Sequence, residues 1–357
     1  MRPGAAFLAA LALPFIALLG CGADPGADGA PPPAALGPGS QEPVREPSST
    51  AQPGQCFGEP AVVAKDVRTF ADRLAHDETF TPITSEDVAA IAGAARSLLD
   101  DDVIAARRQA QGVGYEIVPL ATSECLWVLR PAARGPKGQG LLIVRPKFRR
   151  DLVLEVPHIP YDTNSDVEAS LIFDATGARA VAFAGAIRCA VKAPSPCGTS
   201  SACHPDGSPS ASDPSHSVDT AFHGFHLGLG TGSRSLVVQL HANESKASNG
   251  DALVTNGTRA PFAGGVTERF FVALGASTKA DVRTCNDPKA PPARDAQCGL
   301  TNTQGHASNR VEACNGEAKV ATDRFIHLEQ NVRLLVDQVE MWSAQVASAL
   351  EQAMSAR

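Results

Sequence analysis

The chain has 357 residues, a formal charge of −7 from 31 Lys and Arg against 38 Asp and Glu, and 43% hydrophobic residues. The mild acidity is spread along the sequence, and no basic stripe with interleaved aromatic residues occurs, which argues against a nucleic-acid partner. Discounting an N-terminal leader and tether leaves about 300 residues, enough for one domain with a sizeable core.

Met1-Arg2 is a short basic start, and Ala5 to Leu19 is an apolar run broken only by Pro14. The run is too short for a membrane-spanning helix and predicts the apolar region of a signal peptide over residues 1–20. It closes with Leu18-Leu19-Gly20-Cys21, which resembles a bacterial lipobox and would make Cys21 the lipidated residue. An ordinary secretory signal cut a little later is the alternative. Residues 21–55 are dense in Pro, Gly, Ala and Ser and cannot bury enough apolar surface to offset ordering, so they predict a disordered tether. The expectation is an exported protein of the bacterial cell envelope, attached to the membrane through a lipid anchor only, with its folded domain over 56–357.

Within that domain, Ala61 to Leu74 has helical spacing, and Thr84-Ser85-Glu86-Asp87 offers an N-cap and an acidic first turn to a helix running to about Ala110. Four strand-like runs follow: Tyr115–Val118, Cys125–Leu129, Gly140–Val144 and Leu152–Val156. Val167 to Thr176 predicts a helix ended by Gly177, and Ala180 to Ile187 a buried central strand. Cys189 to Ser217 is a long polar loop, Asp219 to Leu229 a short helix, and Ser235 to Leu240 a strand ending at His241. Phe262 to Leu274 predicts an amphipathic helix, Cys285 to Cys314 an irregular Cys-closed segment, Phe325–Leu328 a last strand and Leu334 to Met354 a final helix. Strands alternating with helices imply a single α/β domain with a mixed, mostly parallel sheet flanked by helices.

Apart from Cys21, the chain has Cys56, Cys125, Cys189, Cys197, Cys203, Cys285, Cys298 and Cys314. An even number in an oxidising compartment favours disulfides that staple the loops. Local closures within Cys189–Cys203 and within Cys285–Cys314, with a long-range link from Cys56 to Cys125, are the natural pairings. A Cys-based zinc cluster is the competing reading, weakened by the lack of any C-x-x-C pair.

Three strand ends carry candidate chemistry. His158 follows Leu-Glu-Val-Pro directly, and Asp162 lies four residues on, where a turn could bring both to one ion. His241 closes a second apolar strand in the same way. In Phe325-Ile326-His327-Leu328-Glu329, alternation places Phe325, His327 and Glu329 on one face. Two His and a carboxylate are what an open catalytic zinc site needs, and a further Glu can serve water as base. A fourth cluster, His216, Asp219, His223 and His226, places Asp219, His223 and His226 on one helical face, suited to a substrate contact or to hydrogen bonds that orient metal ligands. Gly230-Thr231-Gly232-Ser233-Arg234 lacks the Gly-x-Ser-x-Gly elbow of a serine hydrolase, and Gly228–Gly232 follows a helix rather than a strand, against a dinucleotide fingerprint.

The order His-x-x-x-Asp after a strand, then an apolar strand ending in His, then a late strand ending in Glu, resembles the zinc carboxypeptidase-like superfamily. Within it the chain looks closest to the N-formylglutamate amidohydrolase and poly-γ-glutamate hydrolase branch. The resemblance covers roughly Leu152 to Leu335 and implies His158, Asp162 and His241 as Zn2+ ligands and Glu329 as the base. Asp stands where relatives usually carry Glu, at a different spacing from the common His-x-x-Glu, and Glu168 is the alternative acid. Arg310, then Arg188 and Arg333, are candidates to stabilise an oxyanion or bind a substrate carboxylate. The implied activity is hydrolysis of an amide or peptide bond in a small peptide or an N-acyl amino acid. The alternative is a non-catalytic metal- or ligand-binding lipoprotein on the same scaffold.

Overall fold

Apolar runs rich in Val, Leu, Ile and Ala become the strands of one sheet in the computed structural model, which describes residues 60–74, 79–120, 123–198, 203–230, 235–244, 250–287 and 297–355. The signal peptide, Cys21, the tether and Cys56 lie outside these residues. The strands are β1 (Tyr115–Leu120), β2 (Ser123–Pro131), β3 (Leu141–Val144), β4 (Arg150–Val156), β5 (Ala178–Phe183), β6 (Leu236–Asn243), β7 (Ala252–Thr255), β8 (Val282–Thr284) and β9 (Phe325–Asn331). Their order is β1-β2-β3-β5-β4-β6-β9-β7-β8. The centre, β5-β4-β6-β9, is parallel, as is the edge pair β7-β8. The remaining pairings, β1-β2, β2-β3, β3-β5 and β9-β7, are antiparallel.

Helices cover both faces, giving a single mixed α/β domain. They are α1 (Pro60–Leu74), α2 (Ser85–Leu99), α3 (Val103–Gly112), α4 (Ser165–Thr176), α5 (Ala221–Leu229), α6 (Val266–Ser277), α7 (Thr303–Ser308), α8 (Val332–Asp337) and α9 (Val339–Ser355). On one face Leu152, Leu154, Val238, Leu240, Ile326 and Leu328 pack against α4, α6 and α9 through Phe173, Phe270 and Trp342. On the other, Val153, Val237 and Phe325 pack against α2 and α5 through Ile91, Phe222 and Phe225. A central sheet buried on both faces is why its strands read as nearly continuous apolar runs.

Local chemistry sets the helix boundaries. Thr84 and Asp87 form a reciprocal capping box at the start of α2, and Gly177 ends α4 at φ 59°, a left-handed conformation that suits glycine. The helix expected to reach about Ala110 is two helices. Asp101 turns left-handed at φ 59°, and the Asp102 side chain accepts from Ala105 N to start α3. The final helix is likewise split, into α8 and α9 at Gln338. Strands β7 and β8 and the six-residue α7 were not expected, being too short for a periodic pattern.

Cys189 pairs with Cys203 and Cys285 with Cys298, both local closures. Cys314 corrects the expected pairing: it bonds Cys197 and so ties the loop after β5 to the segment before β9. Cys125 is also disulfide-bonded, and Cys56, its expected partner, lies outside the described residues. These bonds remove the reading of a Cys-based zinc cluster for those seven cysteines.

Candidate metal centre

The parallel register of the central strands builds a polar column. Glu155 of β4 lies beside Gln239 of β6, Gln239 beside His327 of β9, and His241 beside Glu329. Alternation places them on the face that begins with Val153, Val237 and Phe325 in the core. That face therefore turns from apolar to polar towards the carboxyl ends of the strands, where open α/β sheets collect ligands.

His158 follows β4, and a turn closed by Asp162 N donating to the His158 carbonyl at 2.9 Å brings the two side chains together. This turn accommodates the shorter Asp at a spacing of four. Asp162 Oδ2 lies 3.4 Å from His158 Nδ1 and 3.2 Å from His241 Nδ1, and the two Nδ1 atoms lie 3.1 Å apart. A tetrahedral ion with bonds of about 2.0–2.1 Å needs donors about 3.3–3.4 Å apart, so the three atoms form one face of such a tetrahedron. His158, Asp162 and His241 are all buried, and Asp162 Oδ2 has no hydrogen-bond partner. A buried, unpaired carboxylate oxygen between two imidazole nitrogens fits a divalent cation.

The outer ring nitrogens are held as a metal centre requires. His158 Nε2 lies 3.1 Å from Asp213 Oδ1, a carboxylate that can only accept, so the Nδ1 lone pair faces the centre. His241 Nε2 lies 2.9 Å from Gln239 Oε1, with the same consequence. Arg188 Nη2 in turn donates to Asp213 Oδ2 at 3.0 Å. Burial would raise the Asp162 and Asp213 carboxyls, but His158 beside both outweighs it and holds each well below the usual range. Burial and Arg188 push His158 down, and Asp162 with Asp213 more than reverses that.

A cavity of about 180 Å³ opens over these atoms, walled also by Arg188, His216, Asn243, Asn302, His327 and Glu329. Glu329 Oε2 accepts from Asn243 Nδ2, and its Oε1 lies 3.9 Å from His327 Nε2. Burial raises the Glu329 carboxyl above its ordinary value, against the opposing pull of His241. Burial holds His216 and His327 below the usual imidazole range, and Nδ1 of each lacks a hydrogen-bond partner. His241, His327 and Glu329 also form a group within 4.8 Å. Both nitrogens of His241 are already directed elsewhere, so this is one three-donor centre with His327 and Glu329 alongside it.

The other candidates fall into different places. Of the three arginines, Arg188 lines the cavity. Arg310 is exposed just beyond α7, at φ 60°, and Arg333 is exposed on α8 in a separate groove beside Lys279 and Met341. His226 is buried beneath the site with Nδ1 2.8 Å from Glu155 Oε1, and His223 is buried with Nδ1 3.5 Å from Gln304 Nε2. Burial, helped by His226, lowers His223 to about 3. Asp219 does not share their helical face: it precedes the cap residue Thr220 of α5 and is exposed. Asp213, Gln239 and Glu155 were not singled out from sequence.

Glu168 is not part of the centre. It is buried in α4, where its Oε2 accepts from Gln330 Nε2 at 2.8 Å, and Trp342 Nε1 donates to Gln330 Oε1. Burial raises its pKa from 4.5 to about 8, with Gln330 and Trp342 opposing. The folded protein therefore holds a proton there that the unfolded chain releases above its own lower pKa. That contribution to stability is present below the unfolded pKa and is lost as pH rises through the folded one, at a slope of up to about 1.4 kcal/mol per pH unit. Denaturant unfolding of wild type and Glu168→Gln at pH 5 and pH 9 is expected to show the variant gaining on wild type at the higher pH. Parallel curves would exclude this proton.

No protein-family model matches the chain, and no curated protein matches it. Among solved structures, LapA of Legionella pneumophila is similar at 11% identity, over 83% of this chain and 74% of that one, with a TM-score of 0.32. A second LapA structure, described as an aminopeptidase, is 10% identical over 88% and 76%, with a TM-score of 0.33. LapB of the same organism is 10% identical over 87% and 75%, with a TM-score of 0.31. The functional reading rests on the centre itself.

Proposed function

We propose that this protein is a zinc-dependent hydrolase that cleaves an amide or peptide bond in a small peptide or N-acyl amino acid. The observation that carries the reading is the convergence of His158 Nδ1, Asp162 Oδ2 and His241 Nδ1 at 3.1–3.4 Å from one another. Three donors of this kind leave a fourth position for water or substrate. Zinc held there supplies Lewis-acid polarisation of the scissile carbonyl and acidifies water. Glu329 lines the same cavity and, in this reading, takes the proton of the attacking water and returns it to the leaving amine. Arg188 puts a guanidinium in the cavity wall, where it can meet an oxyanion or a substrate carboxylate. The small, mostly polar cavity suits a compact polar substrate better than a bulky apolar side chain. Among the described residues no helix is long and apolar enough to cross a membrane. Export, and attachment to the envelope through Cys21, complete the proposal.

Metal analysis of the purified protein after exposure to zinc and desalting tests the core of this reading. One zinc per chain is expected, with occupancy lost in both His158→Ala and His241→Ala, and hydrolysis of members of a panel of dipeptides and N-acyl amino acids. A wild-type protein without stoichiometric zinc, or full occupancy in both variants, would overturn it.

A further inference from the structure

We infer that Glu155, which touches neither the metal donors nor the cavity, is the positioning residue that keeps His241 in its metal-binding tautomer, acting through Gln239. The inference rests on the zinc-hydrolase reading for its purpose, but its geometry stands independently. Glu155, Gln239 and His226 are each 0% exposed, so water cannot replace a missing partner. Gln239 uses its full amide capacity. Its Oε1 accepts from His241 Nε2 at 2.9 Å and from Asn302 Nδ2, and its Nε2 donates to Glu155 Oε2 at 3.1 Å and Gln304 Oε1 at 3.3 Å.

The amide could in principle turn over, and its partners decide which way it points. In the reversed orientation Gln239 Oε1 would face Glu155 Oε2, acceptor against acceptor, while its NH2 would face Asn302 Nδ2, donor against donor. Glu155 cannot accommodate the reversal, because its other oxygen is occupied. A carboxylate oxygen only accepts, so His226 Nδ1 donates to Glu155 Oε1 at 2.8 Å, and His226 Nε2 continues to Ser308 Oγ at 3.2 Å. The chain Ser308–His226–Glu155–Gln239 thus ends on a carbonyl oxygen aimed at His241 Nε2. That oxygen requires a proton on Nε2, which leaves Nδ1 bare towards His158 Nδ1 and Asp162 Oδ2. A reversed Gln239 would instead donate to Nε2 and move the ring proton to Nδ1, where it blocks metal binding. Glu155 therefore does for His241, one residue removed, what Asp213 does for His158 by direct contact.

Glu155→Gln removes the bias, because a glutamine at 155 can donate to a reversed Gln239. Zinc affinity, read by competition with a chelator, is expected to fall about 10–100-fold, while the thermal unfolding of the metal-free protein shows the fold retained. The exchanged pair Glu155→Gln with Gln239→Glu puts a carboxylate directly on His241 Nε2 and is expected to recover much of the affinity. Unchanged affinity in Glu155→Gln, or no recovery in a folded exchanged pair, would overturn the inference. A second readout needs no variant: long-range ¹H–¹⁵N spectra of metal-free wild type should show His241 protonated at Nε2. A His241 protonated at Nδ1 with Nε2 bare would overturn the inference too. A wild type that binds no zinc defeats the hydrolase reading alone, since the tautomer still reports on the relay.

Discussion

Replacing Glu329 with Gln is expected to leave one zinc per chain in place and to lower turnover of an amide substrate about 10²–10⁴-fold, the range of general acid–base catalysis. Glu329 lies near the carboxyl end of β9, directly beside His241 of β6, so the strand register delivers it to the centre without making it one of the three converging donors. Asn243 Nδ2 donates to one carboxylate oxygen. The other oxygen is left on the His327 side of the cavity. Gln keeps the size of the side chain and can still accept from Asn243, but it cannot take a proton from water. The loss should therefore appear in kcat with metal content unchanged. Wild-type activity should also fall at low pH, where a carboxylate base becomes protonated. Full activity in Glu329→Gln would rule out this residue as the base.

The strand ends were readable because they combine two local signals. Leu-Val-Leu-Glu-Val-Pro-His158 and Leu-Val-Val-Gln-Leu-His241 each run apolar and then become polar, as parallel strands do where they leave the core. Alternation likewise placed His327 and Glu329 together. What sequence could not show were the side chains whose meaning depends on distant partners. Glu155 looks like a solitary charge in an apolar strand, and only its 2.8 Å contact with the equally buried His226, contributed by α5, shows that the two form a pair. Asp213 sits in a long loop with no periodicity, and its approach to His158 depends on how that loop folds back. Arg310 lies close to the last strand in sequence, but α7 and its left-handed exit leave it in solvent, while Arg188 reaches the cavity through its link to Asp213. A guide existed for Glu155: a carboxylate on the inward face of a central strand must have a buried partner.

Removing the bond between Cys197 and Cys314, as Cys197→Ser with Cys314→Ser, is expected to cost about 2–5 kcal/mol of stability and to raise KM more than it lowers kcat. The two cysteines are 117 residues apart, against 13 for Cys285 and Cys298. Chain entropy alone then assigns about 5 kcal/mol to the long closure and about 3 kcal/mol to the short one. The functional part of the expectation follows from what the bond joins. The loop after β5 brings Asp213, Ser215 and His216 to the centre, and the segment before β9 brings Gly299, Thr301 and Asn302. Both loops contribute to the walls of the cavity, and Cys197, itself fully buried, ties one to the other. His158, Asp162, His241 and Glu329 stand instead at the carboxyl ends of β4, β6 and β9 and in the turn after β4. Cutting the link should therefore loosen the substrate-facing walls while the donors stay in register, so zinc content should change little. Denaturant unfolding, zinc analysis and steady-state kinetics of the double variant separate these effects. Zinc lost in parallel with substrate binding would mean that the loops, and not the sheet, hold the donors in place.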